Sequence, residues 1–157
     1  MKLYIKQHVF TWGDRFSIYD EAGNEKYFVE GEVFTLGKKL HLMDLGGNEL
    51  AFIYQKLFSF LPHYYINRNG RDLAEVVKHF TFFSQEYSVE GLGWSVTGDF
   101  FAHDYQIAGG GSLIASVYKE WFTWGDAYAI EINPGIDEIA VLAVVLIIDA
   151  VISDSNN

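Results

Sequence analysis

Histidine, carboxylate and glycine clusters are where this 157-residue chain could carry chemistry. Histidine changes charge near neutral pH and ligates metals, and the chain has five: His8, His41, His63, His79 and His103. None stands in an HxH or HExxH spacing, which would set two imidazoles on one face for zinc. A metal pair is conceivable only if His41 and His103, with Asp44 and Asp104 near them in sequence, are equivalent positions of two repeated units. Isolated histidines on strands are far more often structural, so no metal site is expected. Gly109-Gly110-Gly111 would cradle a phosphate only if a helix N-terminus followed; Ser112 to Lys119 reads as strand, so the glycines are a hairpin turn. Glu30 and Glu32 share a strand face, but hydrolysis needs two carboxylates flanking a substrate. There is no GxSxG and no obvious Ser/His/Asp set. With no cysteine there is no thiolate, disulfide, Cys-based zinc site or S-acylation. No catalytic, cofactor-binding or metal-ligating residue is expected, and the chain is not expected to be an enzyme.

Charge narrows the partners. Eleven Lys and Arg stand against 21 Asp and Glu, a net charge of −10, and Lys38-Lys39 is the only adjacent basic pair. Phosphate neutralisation needs many cations, so nucleic acid is not an expected partner and electrostatic docking on anionic membrane is disfavoured. The longest apolar run, Ile139 to Ile148, is ten residues, against about 20 for a membrane span. The start, Met1-Lys2-Leu3-Tyr4-Ile5-Lys6, has no apolar signal region. A soluble, cytoplasmic protein without an integral membrane span is expected, one that does not bind liposomes at physiological salt.

The elements that would position any such chemistry repeat along the chain. An aromatic–hydroxyl–apolar triplet recurs as Phe10-Thr11-Trp12, Phe34-Thr35-Leu36, Phe58-Ser59-Phe60, Phe80-Thr81-Phe82 and Phe122-Thr123-Trp124, with a diverged copy at Trp94-Ser95-Val96. Turn-forming pairs follow four of them, Gly13-Asp14, Gly37-Lys38, Leu61-Pro62 and Gly125-Asp126. Apolar residues then alternate at period two, as in Phe16/Ile18, Leu40/Leu42, Tyr64/Ile66 and Tyr128/Ile130. Ala22-Gly23-Asn24, Gly46-Gly47-Asn48, Asn69-Gly70 and Gly109-Gly110-Gly111 close the other end of each unit. Six units of two strands give about 12 antiparallel strands in up-and-down order. The triplet aromatics are expected to seal the core at the hairpin corners, so truncating Phe58, Phe80 or Phe122 is expected to cost about 3–5 kcal/mol.

Such a wall needs a filling. Eight strands can be filled by their own side chains, whereas 16 leave a channel. The segment Ile136 to Ile152 is apolar nearly all round and long enough for a helix, the pattern of a buried helix. Asn133 is the expected N-cap and Pro134 the first helical residue, with Asp137 and Glu138 favourable in the first turn. The expected architecture is all-β with one buried helix: a closed antiparallel barrel of about 12 strands around a C-terminal apolar α-helix. One domain spans residues 1–152, and residues 153–157 form a short solvated tail.

Phe10-Thr11-Trp12-Gly13-Asp14, Lys56-Leu57-Phe58-Ser59-Phe60, the stretch from Val89-Glu90-Gly91 to Gly98-Asp99-Phe100, Trp121-Phe122-Thr123-Trp124-Gly125-Asp126 and the tail ending Ile148-Asp149-Ala150 together resemble a bacterial member of the LURP-one-related family, over roughly residues 2 to 152. That family belongs to the tubby C-terminal-like superfamily, with the phospholipid scramblases. The resemblance implies 12 strands around a central C-terminal helix and little about activity. Tubby proteins bind phosphoinositides through basic residues and scramblases carry acylated cysteine-rich stretches; this chain has no matching basic motif and no cysteine. The expected function is a non-catalytic cytoplasmic binding or scaffold module with an unknown protein or lipid partner. The alternatives are a lipid-handling or peripheral membrane protein and an enzyme with an unrecognised site. An exposed apolar patch without convergent polar groups would favour the module, a pocket of perturbed titratable residues the enzyme, and binding to anionic liposomes the lipid protein.

Overall fold

The structure, a computed structural model, describes residues 1–6, 15–80, 84–122 and 125–155. Period-two patterning becomes twelve strands: β1 (Lys2–Lys6), β2 (Arg15–Tyr19), β3 (Glu25–Gly31), β4 (Lys39–Asp44), β5 (Glu49–Gln55), β6 (His63–Arg68), β7 (Arg71–Phe80), β8 (Gln85–Glu90), β9 (Trp94–Asp99), β10 (Asp104–Gly109), β11 (Ser112–Phe122) and β12 (Gly125–Ile132). Each pairs antiparallel with its chain neighbour, and β12 closes onto β1 with Lys2 opposite Glu131 and Lys6 opposite Ala127. Closure leaves no unpaired sheet edge. Inward positions alternate along each strand; in β7 they are Ala74, Val76 and Lys78.

The lumen is occupied by α1 (Glu138–Ser155), in which every residue from Ile139 to Ile148 is buried, together with Ala150 and Val151. They meet a wall of Ile18, Val29, Leu42, Ile53, Ile66, Val96 and their like in one contiguous core. A helix that is apolar on all sides is stable in water only with all sides covered, and the barrel supplies that cover.

The helix differs from expectation at both ends. Its N-cap is Asp137, whose carboxylate accepts from the Ile139 amide at 3.0 Å. Asn133 instead ties the chain to β11, its Nδ2 donating to the Leu113 carbonyl at 2.5 Å and its backbone N–H to Ile114. Pro134 therefore sits in a turn before the helix. Asp137 also pairs with Arg68, and Glu138 pairs with Lys26 at 3.1 Å. At the other end α1 runs through Ser155, into the segment expected to be tail. Lys38, only 3% exposed, holds it there: its Nζ donates to the Ala150 carbonyl at 2.9 Å and lies 2.6 Å from Asp154. A buried cation at the carbonyl end of a helix meets both unsatisfied acceptors and the negative pole of the dipole.

Two expectations about the triplets are corrected. Phe34 and Phe58 are as exposed as free side chains (105% and 101%), Phe60 equals Phe58, and Phe80 is more than half exposed. They do not seal the core, because the inward positions of the flanking strands and α1 already fill it. The 3–5 kcal/mol cost attached to Phe58 and Phe80 therefore does not apply. Phe10-Thr11-Trp12, Thr81-Phe82 and the side chains of Phe122-Thr123-Trp124 lie outside the described residues. The diverged copy at Trp94 is not a copy. It starts β9 at the opposite end of the barrel, where its ring packs so closely on Gly109 that a Cβ there would lie 2.5 Å from it.

Each buried Val, Leu or Ile of α1 contributes roughly 1.5–3 kcal/mol, and whole domains are stable by about 5–15 kcal/mol. Truncation after Asn133, or Val144→Asp, which places a charge at a fully buried site, is expected to give an aggregated or molten chain. Circular dichroism with a thermal melt checks this; a cooperative melt with an intact β spectrum would show that the barrel stands without its helix.

Candidate functional site

In an up-and-down barrel the connections alternate between two ends. The β3–β4, β5–β6, β7–β8 and β9–β10 connections share one end, so the repeat puts its aromatics on one rim. Val33, Phe34, Leu36, Leu57, Phe58, Phe60, Phe80, Phe101 and Trp121 are exposed there, against Met1, Leu45 and Leu113 at the other end. The described residues of the triplets at Phe34, Phe58 and Phe80 thus stand at one end of the barrel.

The backbone of this rim is strained. Phe34 and Phe58, 24 positions apart in the repeat, both have φ of 58°, and His103 in the β9–β10 connection has 51°. A bulky residue in the left-handed region is a steric outlier that costs roughly 1–2 kcal/mol. Strain that turns a phenyl ring outward gains nothing for the core, and strain of this kind clusters at functional sites.

Between the β3–β4 and β5–β6 connections lies a groove of about 660 Å³. Phe34 and Leu36 form one wall and Leu57 the other, with Tyr54 and Tyr65 as floor. The two loops approach at Gly37, where a Cβ would meet Leu57 at 2.8 Å and where φ is +75°, so glycine avoids both strain and a shift of Leu57. The floor continues as a ladder of rings on the outer wall: His41–Phe52 at 4.9 Å, Phe52–Tyr54 at 5.5 Å, Tyr54–Tyr65 at 5.0 Å and Tyr65–His63 at 5.2 Å. Tyr54 donates to Asp72 at 2.9 Å, and burial followed by that carboxylate pushes its pKa up to about 12.

The histidines are dispersed. His41 lies on the outer wall of β4 with Glu49 at 2.5 Å and Glu32 at 2.7 Å, and His63 pairs with Glu75 at 3.2 Å. His79 meets Ser88 at 2.8 Å, and His8 lies outside the described residues. His103 lies in the β9–β10 connection against Asp149 of α1, whereas His41 is within β4, so the two are not equivalent positions. Asp44 accepts from Asn48 in the β4–β5 turn and Asp104 is exposed at the start of β10. Among the described residues no three His, Asp or Glu side chains gather as a metal site. Gly110 and Gly111 join β10 to β11, and Ser112 begins a strand, not a phosphate-binding helix. Glu30 faces His41 across the β3–β4 ladder, while Glu32 lies past the end of β3.

One polar cluster is buried. Tyr64, Tyr87, Tyr105 and Tyr128 come from alternate strands and surround the C-terminal half of α1. Tyr128 donates to Asp149, and His103 stacks on Tyr128 at 4.5 Å with its Nε2 3.5 Å from Asp149. Burial, then the Asp149 charge, pushes the Tyr105 and Tyr128 hydroxyls well above their ordinary pKa. A His–Asp pair is a general-base arrangement, but neither this groove nor the smaller cavity beside Tyr64 is lined by His103 or Asp149.

His41 supplies a pH test. Partial burial opposes its charge, yet hydrogen bonds and charges from Glu49 and Glu32 outweigh burial and raise its pKa above 6.5. Its contribution to stability is present in full below 6.5 and is lost as pH rises through the folded value. Thermal melts are expected to show His41→Gln less stable than wild type at about pH 5.5, with the gap closing by about pH 8.5. A gap independent of pH would contradict the assignment.

The LURP-one-related family pattern matches residues 1–149. The "Uncharacterized protein YxjI" of Bacillus subtilis (strain 168) is 36% identical over 152 residues, covering 97% of this chain and 94% of that protein. The X-ray structure of the Arabidopsis thaliana protein AT5G01750 superposes with a TM-score of 0.67 at 18% identity, covering 99% of this chain and 91% of that one. The closed twelve-stranded barrel with its C-terminal helix is thus shared with a distant plant protein, and the chain belongs to the LURP-one-related family.

Proposed function

We propose that the protein is a non-catalytic binding module of the cytoplasm whose docking face is the aromatic rim. One observation carries this reading: Phe34 and Phe58 hold fully exposed rings on left-handed backbone at equivalent places of the repeat. Monomeric proteins seldom expose contiguous apolar patches beyond a few hundred Å², and an aromatic side chain buries about 150–250 Å² when covered. Phe34, Phe58 and Phe60, with Leu36 and Leu57 on the same two connections, exceed what a solvated surface needs. Aromatic anchors around a groove are what a partner's side chains pack against. Absence of cysteine fits a reducing compartment.

The test uses glycine, which adopts positive φ without strain. In the double variant Phe34→Gly/Phe58→Gly, relief of roughly 1–2 kcal/mol per site is offset in part by the larger unfolded-state entropy of glycine. The denaturation midpoint is expected to hold or rise. Immobilised wild type and variant are then exposed to lysate of the source cells, with vesicle co-sedimentation alongside. Partners retained by wild type and lost by the variant are the expected result. A stability loss of about 3–5 kcal/mol, or identical retention by both, would contradict the reading.

A further inference from the structure

The groove on this rim is not electrically neutral. Lys39 and Lys56 line it, and no carboxylate does. Four cations near the barrel ends are engaged: Lys26 with Glu138, Lys38 with Asp154, Arg68 with Asp137, Arg15 with Glu25. Neither Lys39 nor Lys56 forms an ion pair among the described residues. Strand alternation divides the basic dipeptide: Lys38 turns inward to the helix end, which leaves Lys39 outside in register with Tyr54. The carboxylates flanking the groove are engaged elsewhere: Glu32, across the ladder from Lys39, with His41 at 2.7 Å, Glu75, opposite Tyr65, with His63 at 3.2 Å, and Asp72 with the Tyr54 hydroxyl and with Asn67 at 3.2 Å. In a chain of net charge −10, the lining of this groove carries two cations outside any ion pair and no acid, and carboxylates beyond about 8 Å are screened at physiological salt.

Two lysines facing an apolar channel define an occupant with an anionic head and a hydrocarbon body. Lysine offers a compact point charge that pairs with either a carboxylate or a phosphate; a phosphate head, with three acceptor oxygens and up to two charges, asks for more donors than two lysines, whereas a singly charged carboxylate does not. The volume lies within the range of small-molecule sites, about 300–1,000 Å³. We propose that the groove binds one single-chain carboxylate, its head between Lys39 and Lys56 and its tail along Phe34, Leu36 and Leu57 over the Tyr54 ring. This deepens the rim reading and rests on it. It names a free amphiphile as occupant, not a bilayer.

The experiment is calorimetric titration of the full chain with decanoate, held below its micelle-forming concentration. Decyltrimethylammonium, decanol and phospholipid vesicles are run in parallel. Decanoate is expected to bind saturably at one to one, about tenfold or more tighter than the cation or the alcohol. Lys39→Gln/Lys56→Gln should lose that preference while melting like wild type, and Lys119→Gln, elsewhere on the wall, should keep it. No binding, equal binding of the cationic analogue, insensitivity to the lysine pair, or association with vesicles alone would each overturn the proposal. If decanoate fails while the glycine variant still loses its partners, the ligand assignment falls and the docking rim stands.

Discussion

A helix with no polar face must be covered on every side, and a twelve-stranded wall encloses more space than its own side chains fill. Each element makes the other possible. The fully buried run from Ile139 to Ile148 sets the lumen contents, and the strands supply the inward Leu, Ile and Val that meet it. Polar tethers then fix the helix along its axis. Asp137 with Arg68 and Glu138 with Lys26 hold the entrance, and Lys38 with the Ala150 carbonyl and Asp154 holds the exit.

That arrangement decides where the aromatics of the repeat go. Once α1 occupies the lumen there is no room at the mouth for further rings. Tyr64, Tyr87, Tyr105 and Tyr128 already take the inward places around the exit. The rings of Phe34, Phe58 and Phe60 stand outside on the rim, and the left-handed backbone at Phe34 and Phe58 turns two of them outward at a cost in strain. Stability resides in the helix–wall contact, which leaves the rim and its groove outside the contacts that hold the fold together.

Much of this was legible in the chain. Period-two alternation and the glycine turns marked the strands, and the apolar run marked the buried helix, because burial on all sides leaves a plain compositional trace. Local chemistry was less legible. Asn133 and Asp137 are both good caps, and only the tether of Asn133 to Leu113 decides between them. Phe58 reads as core from composition, since an aromatic in a repeat is usually buried. A clue was present in Pro62 and Gly37 beside the triplets, which place them in connections, and antiparallel order gathers alternate connections at one end. Backbone φ leaves no trace in composition, so the strain at Phe34 and Phe58 could not be anticipated. The groove was also invisible, because it depends on two loops approaching at Gly37 and on Lys39 and Lys56 lining the space between them.

Native-state amide hydrogen exchange bears most directly on the dependence of the whole barrel on its helix. Opening free energies are read residue by residue against denaturant. The account predicts that the amides of residues 141–148 exchange only through global unfolding, with the full denaturant slope and at the same free energy as the central strand amides. Exchange of those helix amides at a lower free energy, while the strand amides stay protected, would contradict it by showing that the helix leaves a barrel that remains folded.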